Sequence, residues 1–392
     1  MVFVSGIVSM AQPQTGNLEK SLAALKLELA PDHRTAIFDV TGKPSGHDLV
    51  LSGTVHDRTM KDAVVSRLKA MGWTVQASKL QTLPSPAVGN QTHGVVCVSV
   101  LNMRTEPEHA AEMGTQAILG TPLKILKKEG GWYLVQTPDR YLGWTDDRMQ
   151  VMDDSAFSLW QSKPKVIVTE TYSHVRTGTG PNDGYVGDLV AGGLLAFIGD
   201  RGTHWEVGYP DGRTGFVPQD HARQLNDWKR TISANEESII STAQRFFGVP
   251  YFWGGTSTKA MDCSGFVKTV YFLNGIYLPR DASQQVNVGI LVDGGPAMDA
   301  YQPGDLLFFG FKAHDGKKER VTHVGISLGG QRYIHESVDI HVNSLNPSDQ
   351  DYSGSRREMF IRARRILGAG VSQGVFQVKD MPEYGASGQR EH

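Results

Sequence analysis

The sequence predicts a multidomain α+β protein: a small α/β domain near the N-terminus, two short-stranded β-barrels in tandem, and a larger α+β region that carries the chemistry. Three observations lead there. A chain of 392 residues with 40% hydrophobic content is too long for one ordinary core. An internal repeat with a period of about 72 residues occupies its middle. Beyond the repeat, a cysteine opens a run with helical spacing, and two histidines lie in strand-like runs downstream.

Charged residues make up 20% of the chain and the formal net charge is -2, so no one-signed field favours nucleic acid or an anionic membrane. The 44 Gly and 18 Pro are spread along the chain and predict many turns and short strands. Only Cys97 and Cys263 occur, in contexts too different for a disulfide to be expected. Cys97, in the alternating run 95–101, reads as a small buried strand residue. Residues 1–11 are apolar and end Ser9-Met10-Ala11, a small-x-small pattern like a secretory cleavage site without the basic segment that normally precedes it. Residues 1–24 are therefore read as a leader remnant and linker, with an ordinary tail as the alternative, and the protein is expected to be exported. No segment approaches a membrane-spanning length, so no stable membrane insertion is expected.

Residues 35–40 and 49–55 read as strands, 60–71 as a helix closed by Gly72, and 73–80 as a third strand. Residues 25–88 thus have the order α-β-β-α-β and resemble the small bacterial domain called BON, at the level of pattern alone. Pro84, Pro86, Gly89 and Asn90 mark the next boundary. In the repeat, Asn102-Met103-Arg104 matches His174-Val175-Arg176, Trp132 matches Trp205, and Gly143-Trp144 matches Gly215-Phe216. The layout resembles tandem bacterial SH3-like barrels at 93–155 and 164–226. The chemistry is assigned to residues 230–368, opened by a helix predicted at 234–247, and residues 369–392 are read as a tail.

Cys263 follows the glycine-containing loop Pro250-Tyr251-Phe252-Trp253-Gly254-Gly255. Phe266, Val267, Val270, Tyr271 and Leu273 recur at helical spacing after it, which puts Cys263 in a first turn where the helix dipole favours a thiolate. A thiolate needs a base, and His323 stands in an alternating run, with His335 in the next one. A three-residue connection over 328–330 would set the two histidines opposite each other on one face; a two-residue connection would put them on opposite faces. The remaining histidines, His314 and His341 among them, read as surface or strand residues.

Five ordered motifs, Tyr251-x-Trp253-Gly254-Gly255, Asp262-Cys263-Ser264-Gly265-Phe266, Pro303-Gly304-Asp305-Leu306, His323-Val324-Gly325-Ile326 and His335-Glu336-Ser337, resemble the NlpC-type family of papain-like cell-wall cysteine peptidases over residues 234–366. The resemblance implies a papain-like α+β catalytic domain in which Cys263 attacks, His323 takes and returns the proton, His335 orients His323, and Tyr251 helps the oxyanion site. With the two SH3-like domains and Pro279-Arg280-Asp281, the chain resembles more narrowly the branch that cuts after γ-D-glutamate in murein peptides and releases L-Ala-γ-D-Glu. That implies a clamp for the free amine of L-alanine at Glu112, Tyr141 and Asp281, with Asp262, Ser264, Ser283 and Trp253 as further substrate-binding positions. Ala282 stands where the branch usually has serine, with Ser283 after it.

The expected partners are peptidoglycan stem peptides or murein fragments, met by a monomer in the periplasm or outside the cell, in association with the cell wall, without a cofactor. Three other readings use the same residues: an endopeptidase on intact stems with the barrels as wall anchors, a catalytically silent wall-binding protein, and an acyltransferase on the same thioester chemistry. A metal site is disfavoured, since no Cys-x-x-Cys occurs and the three scattered ligands lack an acidic fourth.

Overall fold

The computed structural model describes residues 15–295 and 298–385, so the leader-like residues 1–11 lie outside the described part. The chain divides into two compact units, residues 1–89 with 125–128, and residues 90–124 with 129–392. In the first unit the order is helix Thr15–Leu29, strands Phe38–Ser45 and Asp48–Val55, helix Arg58–Ala70 and strand Thr74–Thr82. Asp57 caps the second helix by accepting from the Met60 amide at 2.8 Å, and Val64 and Leu68, one turn apart, are its fully buried residues. That helix is a crossover: it returns the chain so that Asp48–Val55 and Thr74–Thr82 pair in parallel. Leu18, Leu25, Leu49, Leu51, Trp73 and Leu80 complete the core.

In the second unit, seven strands between His93 and Met152 form one sheet, and seven between Lys165 and Gln224 form another. The matching positions of the repeat take the same places. Arg104 pairs with Trp144 in the first sheet and Arg176 with Phe216 in the second, and a register shift falls at Met103/Arg104 and again at Val175/Arg176. Each arginine reaches the loop that follows it, Arg104 to the Ala111 carbonyl at 2.7 Å and Arg176 to the Pro181 carbonyl at 2.9 Å. Cys97 is buried, but in the connection between the strands His93–Val96 and Val100–Arg104 rather than in a strand.

Beyond the sheets, helix Glu236–Gln244 is shorter at both ends than its apolar spacing predicted, because Asn235 and Ser238 form a reciprocal capping box that fixes its start. It packs with helix Cys263–Leu273 against a six-stranded antiparallel sheet. The sheet order is Ile290–Val292, Phe360–Arg365, Leu306–Phe311, Arg320–Gly329, Arg332–Glu336, Ile340–Ser344. Alternation sends Leu306, Phe308, Val324, Ile326 and Ile334 to the helices, and Leu307, Phe309, Tyr333 and Ala363 to a second cluster under Tyr301 and Leu345.

Residues 371–384, expected to belong to a tail, are not one. Phe376–Gln377 pairs with Ile276–Tyr277, and Val375, Val378, Met381 and Tyr384 are buried in the same core as the Cys263 helix. These apolar residues are isolated between turns, so no helical or strand period announced them.

Candidate active site

Cys263 is the first residue of its helix and Asp262 is the N-cap. Asp262 Oδ1 accepts from the Gly265 amide at 2.8 Å and the Ser264 hydroxyl at 3.0 Å, while Oδ2 accepts from the Gly254 amide at 3.0 Å. The helix start lies flat on the glycine loop: a Cβ at Gly265 would stand 2.0 Å from the Gly255 carbonyl oxygen. Gly254 has φ +78, and a Cβ there would meet the Met113 carbonyl of the first sheet at 2.6 Å, so only glycine lets the two regions approach this closely.

Arg280 is fully buried and holds these parts together. Its guanidinium donates to Asp262 at 2.6 and 3.0 Å, to Ser264 Oγ at 3.0 Å and to Thr115 Oγ1 of the first sheet at 2.8 Å. Burial works against its charge, but Asp262 and then Asp281 more than offset it and hold its proton more firmly than usual. Asp262 and Ser264, expected to touch substrate, are thus occupied with the protein itself. Asp262 spends both oxygens on the helix cap, the loop and Arg280, and Ser264 both donates to Asp262 and accepts from Arg280. Arg280, read in the sequence only as part of the Pro-Arg-Asp motif, is the keystone.

The Cys263 thiol is buried, and that burial, followed by the charge of Asp262, pushes it up to about 12, against the opposing pull of the Val324 and Ser264 main chain and Arg280. His323 is held well below its usual range by burial, then by Arg356 and the neighbouring histidines, and His335 is lowered to about 3, chiefly by burial. At neutral pH Cys263 is therefore a thiol and both histidines are neutral imidazoles.

The histidines meet, His323 Nε2 to His335 Nδ1 at 2.7 Å, but not as a directly opposed pair. Ile326 pairs with Ile334 and Gly329 with Arg332, with a register shift between them. The connection is the two residues Gly330 and Gln331, and the bulge at Leu328 restores the shared face that such a short loop would otherwise have cost. Gly325 then stands opposite His335, where a Cβ would lie 3.1 Å from that of His335, and His323 reaches across the diagonal.

Asn343, which the sequence reading missed, sets the direction of the protons. Its amide nitrogen donates to the Asp351 carbonyl at 3.2 Å, which turns Oδ1 toward His335 Nε2 at 2.9 Å. His335 Nε2 must therefore carry hydrogen, His335 Nδ1 must accept from His323 Nε2, and His323 Nδ1 is left with the lone pair that can receive a thiol proton. The signal for Asn343 was faint: His341 and Asn343 alternate on the strand that pairs His335 with His341 and Tyr333 with Asn343. His341 is close, its ring 4.7 Å from that of His335, but Asp339 holds its Nδ1 at 2.8 Å.

Tyr251, in the glycine loop, is fixed by its amide to the Val338 carbonyl at 2.9 Å. Its hydroxyl is pushed above the usual tyrosine range by burial, then by Cys263 and Asp262, which places it in the electrostatic reach of the nucleophile. The first sheet supplies the remaining groups. Glu112 Oε1 accepts from Trp253 Nε1 at 2.8 Å, and the Tyr141 hydroxyl donates to Asp281 Oδ2 at 3.2 Å. Gln116 accepts from the Thr256 amide and hydroxyl, both at 3.0 Å, and Asp139 pairs with Lys268 of the Cys263 helix. Ser283 sits in the short helix Ala282–Gln285 that Asp281 caps, where its carbonyl accepts from Asn287 at 3.0 Å. No group of three or more candidate metal ligands occurs among the described residues.

A cysteine at a helix start, with two hydrogen-bonded imidazoles on strands of the sheet that packs against that helix, is the residue set of a thiol hydrolase. Residues 248–362 match the NlpC/P60 family and residues 103–147 the bacterial dipeptidyl-peptidase Sh3 domain; the chain carries both, and is a hydrolase of the cysteine peptidase type. It is 28% identical to the gamma-D-glutamyl-L-lysine dipeptidyl-peptidase of Bacillus cereus over 64% of this chain and 76% of that protein. It is 27% identical to dipeptidyl-peptidase 6 of Lysinibacillus sphaericus over 65% of this chain and 92% of that one. A crystal structure of an NlpC/P60 family protein from Bacillus cereus superposes with a TM-score of 0.58 at 25% identity, covering 70% of this chain and 99% of that one.

Proposed function

We propose that this protein hydrolyses the γ-D-glutamyl bond to an L-diamino acid in peptidoglycan stem peptides whose L-alanine is free, releasing L-Ala-γ-D-Glu. The observation that carries this is the pair of carboxylates, Glu112 and Asp281, each already bonded to an aromatic partner, Trp253 and Tyr141, where the first sheet meets the catalytic region. Two carboxylates suit one ammonium group, and a charge-assisted hydrogen bond to it contributes about 1.5–3 kcal/mol. The name of the Bacillus cereus relative supports the γ-D-glutamyl substrate class, and that of the Lysinibacillus relative supports release of a dipeptide. No helix among the described residues is long and apolar enough to cross a membrane, and we place the enzyme outside the cytoplasm, at the cell wall, because that is where such stems are.

In this reading His323 Nδ1 takes the thiol proton as Cys263 Sγ adds to the γ-carbonyl of D-glutamate. The oxyanion meets Tyr251 and main-chain N–H groups at the helix start. His323 then protonates the leaving amine, the C–N bond breaks, and a thioester remains. Water, deprotonated by His323, adds to the thioester and releases the dipeptide with the thiol restored. His335 and Asn343 hold the imidazole in the one tautomer that works.

Mass spectrometry of products from L-Ala-γ-D-Glu-diamino acid peptides, with free and acetylated amines, tests the reading. Free peptides should yield L-Ala-γ-D-Glu with the wild-type chain and nothing with Cys263→Ala. Equal cleavage of acetylated peptides would remove the amine clamp and leave a general wall endopeptidase.

A further inference from the structure

Glu336 is the acidic group that this mechanism leaves unused. It ends the strand Arg332–Glu336, directly after His335, and is fully buried, and neither carboxyl oxygen has a hydrogen-bond partner among the described residues. Alternation turns it away from Tyr333 and His335 to the face of Ile334, which packs with the Cys263 helix. The turn that follows is stitched to the loop of Tyr251: Tyr251 donates its amide to the Val338 carbonyl at 2.9 Å, Pro250 bridges to Asp339, and Ile340 donates to the Val249 carbonyl at 3.1 Å.

A carboxylate buried without a partner is costly, and the group answers by keeping its proton. Burial first, then the charges of Asp339 and Asp262, push Glu336 up to about 8. The Tyr251 hydroxyl feels Cys263, Asp262, Arg280 and Glu336 together, so thiol, phenol and buried acid share one neighbourhood.

We propose that Glu336 is a positioning residue: kept as a neutral, unpaired carboxylic acid, it leaves the Tyr251 hydroxyl free to serve the developing oxyanion, and losing its proton draws that hydroxyl toward the new carboxylate. The inference rests on the function proposed above. The charged and titratable groups around it agree in sign. Asp339 acts on it from the turn after its own strand and Asp262 from the cap of the Cys263 helix, while it acts in turn on Tyr251 of the glycine loop. Arg280, the nearby cation, is already engaged by Asp262, Ser264 and Thr115. His335 projects to the opposite face and is neutral. An ionised Glu336 would add a further negative charge where the transition state already gathers one.

The test is the pH profile of kcat and KM for the free-amine peptide, from pH about 5.5 to about 9.5, with the full chain and its Glu336→Gln and Tyr251→Phe variants. Glu336→Gln keeps the shape and a donor but cannot ionise. It should retain kcat within about threefold at pH about 6.5 and lose the alkaline decline that the wild type shows with a midpoint near about 8. In the Tyr251→Phe background the same change should leave the profile unmoved. A Glu336→Gln chain that keeps the wild-type decline, or that loses more than about tenfold at pH about 6.5, overturns the inference while the proposed function stands. A wild-type chain that cleaves no γ-D-glutamyl peptide overturns both.

Discussion

The hydroxyl of Tyr141 donates to Asp281 across 3.2 Å, tying the first repeat to the residue next to buried Arg280. Asp281 Oδ1 stands 3.8 Å from the Arg280 guanidinium, so the carboxylate that would meet a substrate amine is held from both sides before any substrate arrives. Together with Glu112 on Trp253, it joins the first repeat to the glycine loop and to the short helix after Arg280.

Glu112→Gln should lower kcat/KM for free-amine peptides by about tenfold to a hundredfold, the loss of one charge-assisted hydrogen bond. Gln can still accept from Trp253, so the loop keeps its place. Acetylated peptides should be poor substrates from the start and lose little more; steady-state kinetics on the peptide pair decides it.

Asn343→Leu removes the acceptor that fixes the His335 tautomer, and kcat should fall by about tenfold to a hundredfold with KM nearly unchanged. His323→Ala should be close to inactive, and His335→Asn intermediate. A full loss at Asn343 equal to that at His323 would mean that the amide does more than orient.

Arg280→Met leaves Asp262 buried without its counter-charge, and breaking such a pair costs about 3–5 kcal/mol. Thermal unfolding of the full chain should move down accordingly. The Arg280→Met, Asp262→Asn double variant should recover part of the loss, because the second change removes the stranded charge.

Stability should fall as the medium becomes acidic. His323 and His335 have folded-state affinities for protons far below their unfolded value of about 6.5, so below that pH the unfolded chain takes up protons that the folded chain refuses. Each histidine then removes about 1.4 kcal/mol per pH unit, with His335 continuing down to about 3. Urea unfolding at neutral and acid pH should show this slope, and His335→Gln should flatten it.

The parts of this arrangement that follow from local pattern were legible in the sequence. Phe266, Val267 and Val270 announced the helix that Cys263 opens, and the matched Arg104/Arg176 and Trp144/Phe216 positions occupy the same register in both sheets. What depends on long-range contact was not. The diagonal meeting of His323 with His335 comes from a bulge at Leu328, Asn343 acquires its importance only once Asp351 orients it, and Arg280 looks like any charged turn residue until burial surrounds it with Asp262 and Thr115. Val375, Val378 and Tyr384 were missed because single apolar residues between turns carry no period.

The two copies of the repeat also show how a duplicated scaffold can divide its labour. Arg104 anchors the Ala111 carbonyl, and the very next side chain is Glu112, aimed at Trp253. In the second copy Arg176 anchors Pro181 in the same manner, yet the acid that follows, Asp183, turns back to the Gly180 amide at 2.6 Å and closes its own loop. The same guanidinium brace thus serves a loop that reaches across to Trp253 and a loop that only seals itself. Changes between residues 105 and 112 should therefore retune what the enzyme accepts at the far end of its cleft, while equivalent changes at 177–183 should leave selectivity alone, making the first loop the natural place to diversify specificity without redesigning the nucleophile.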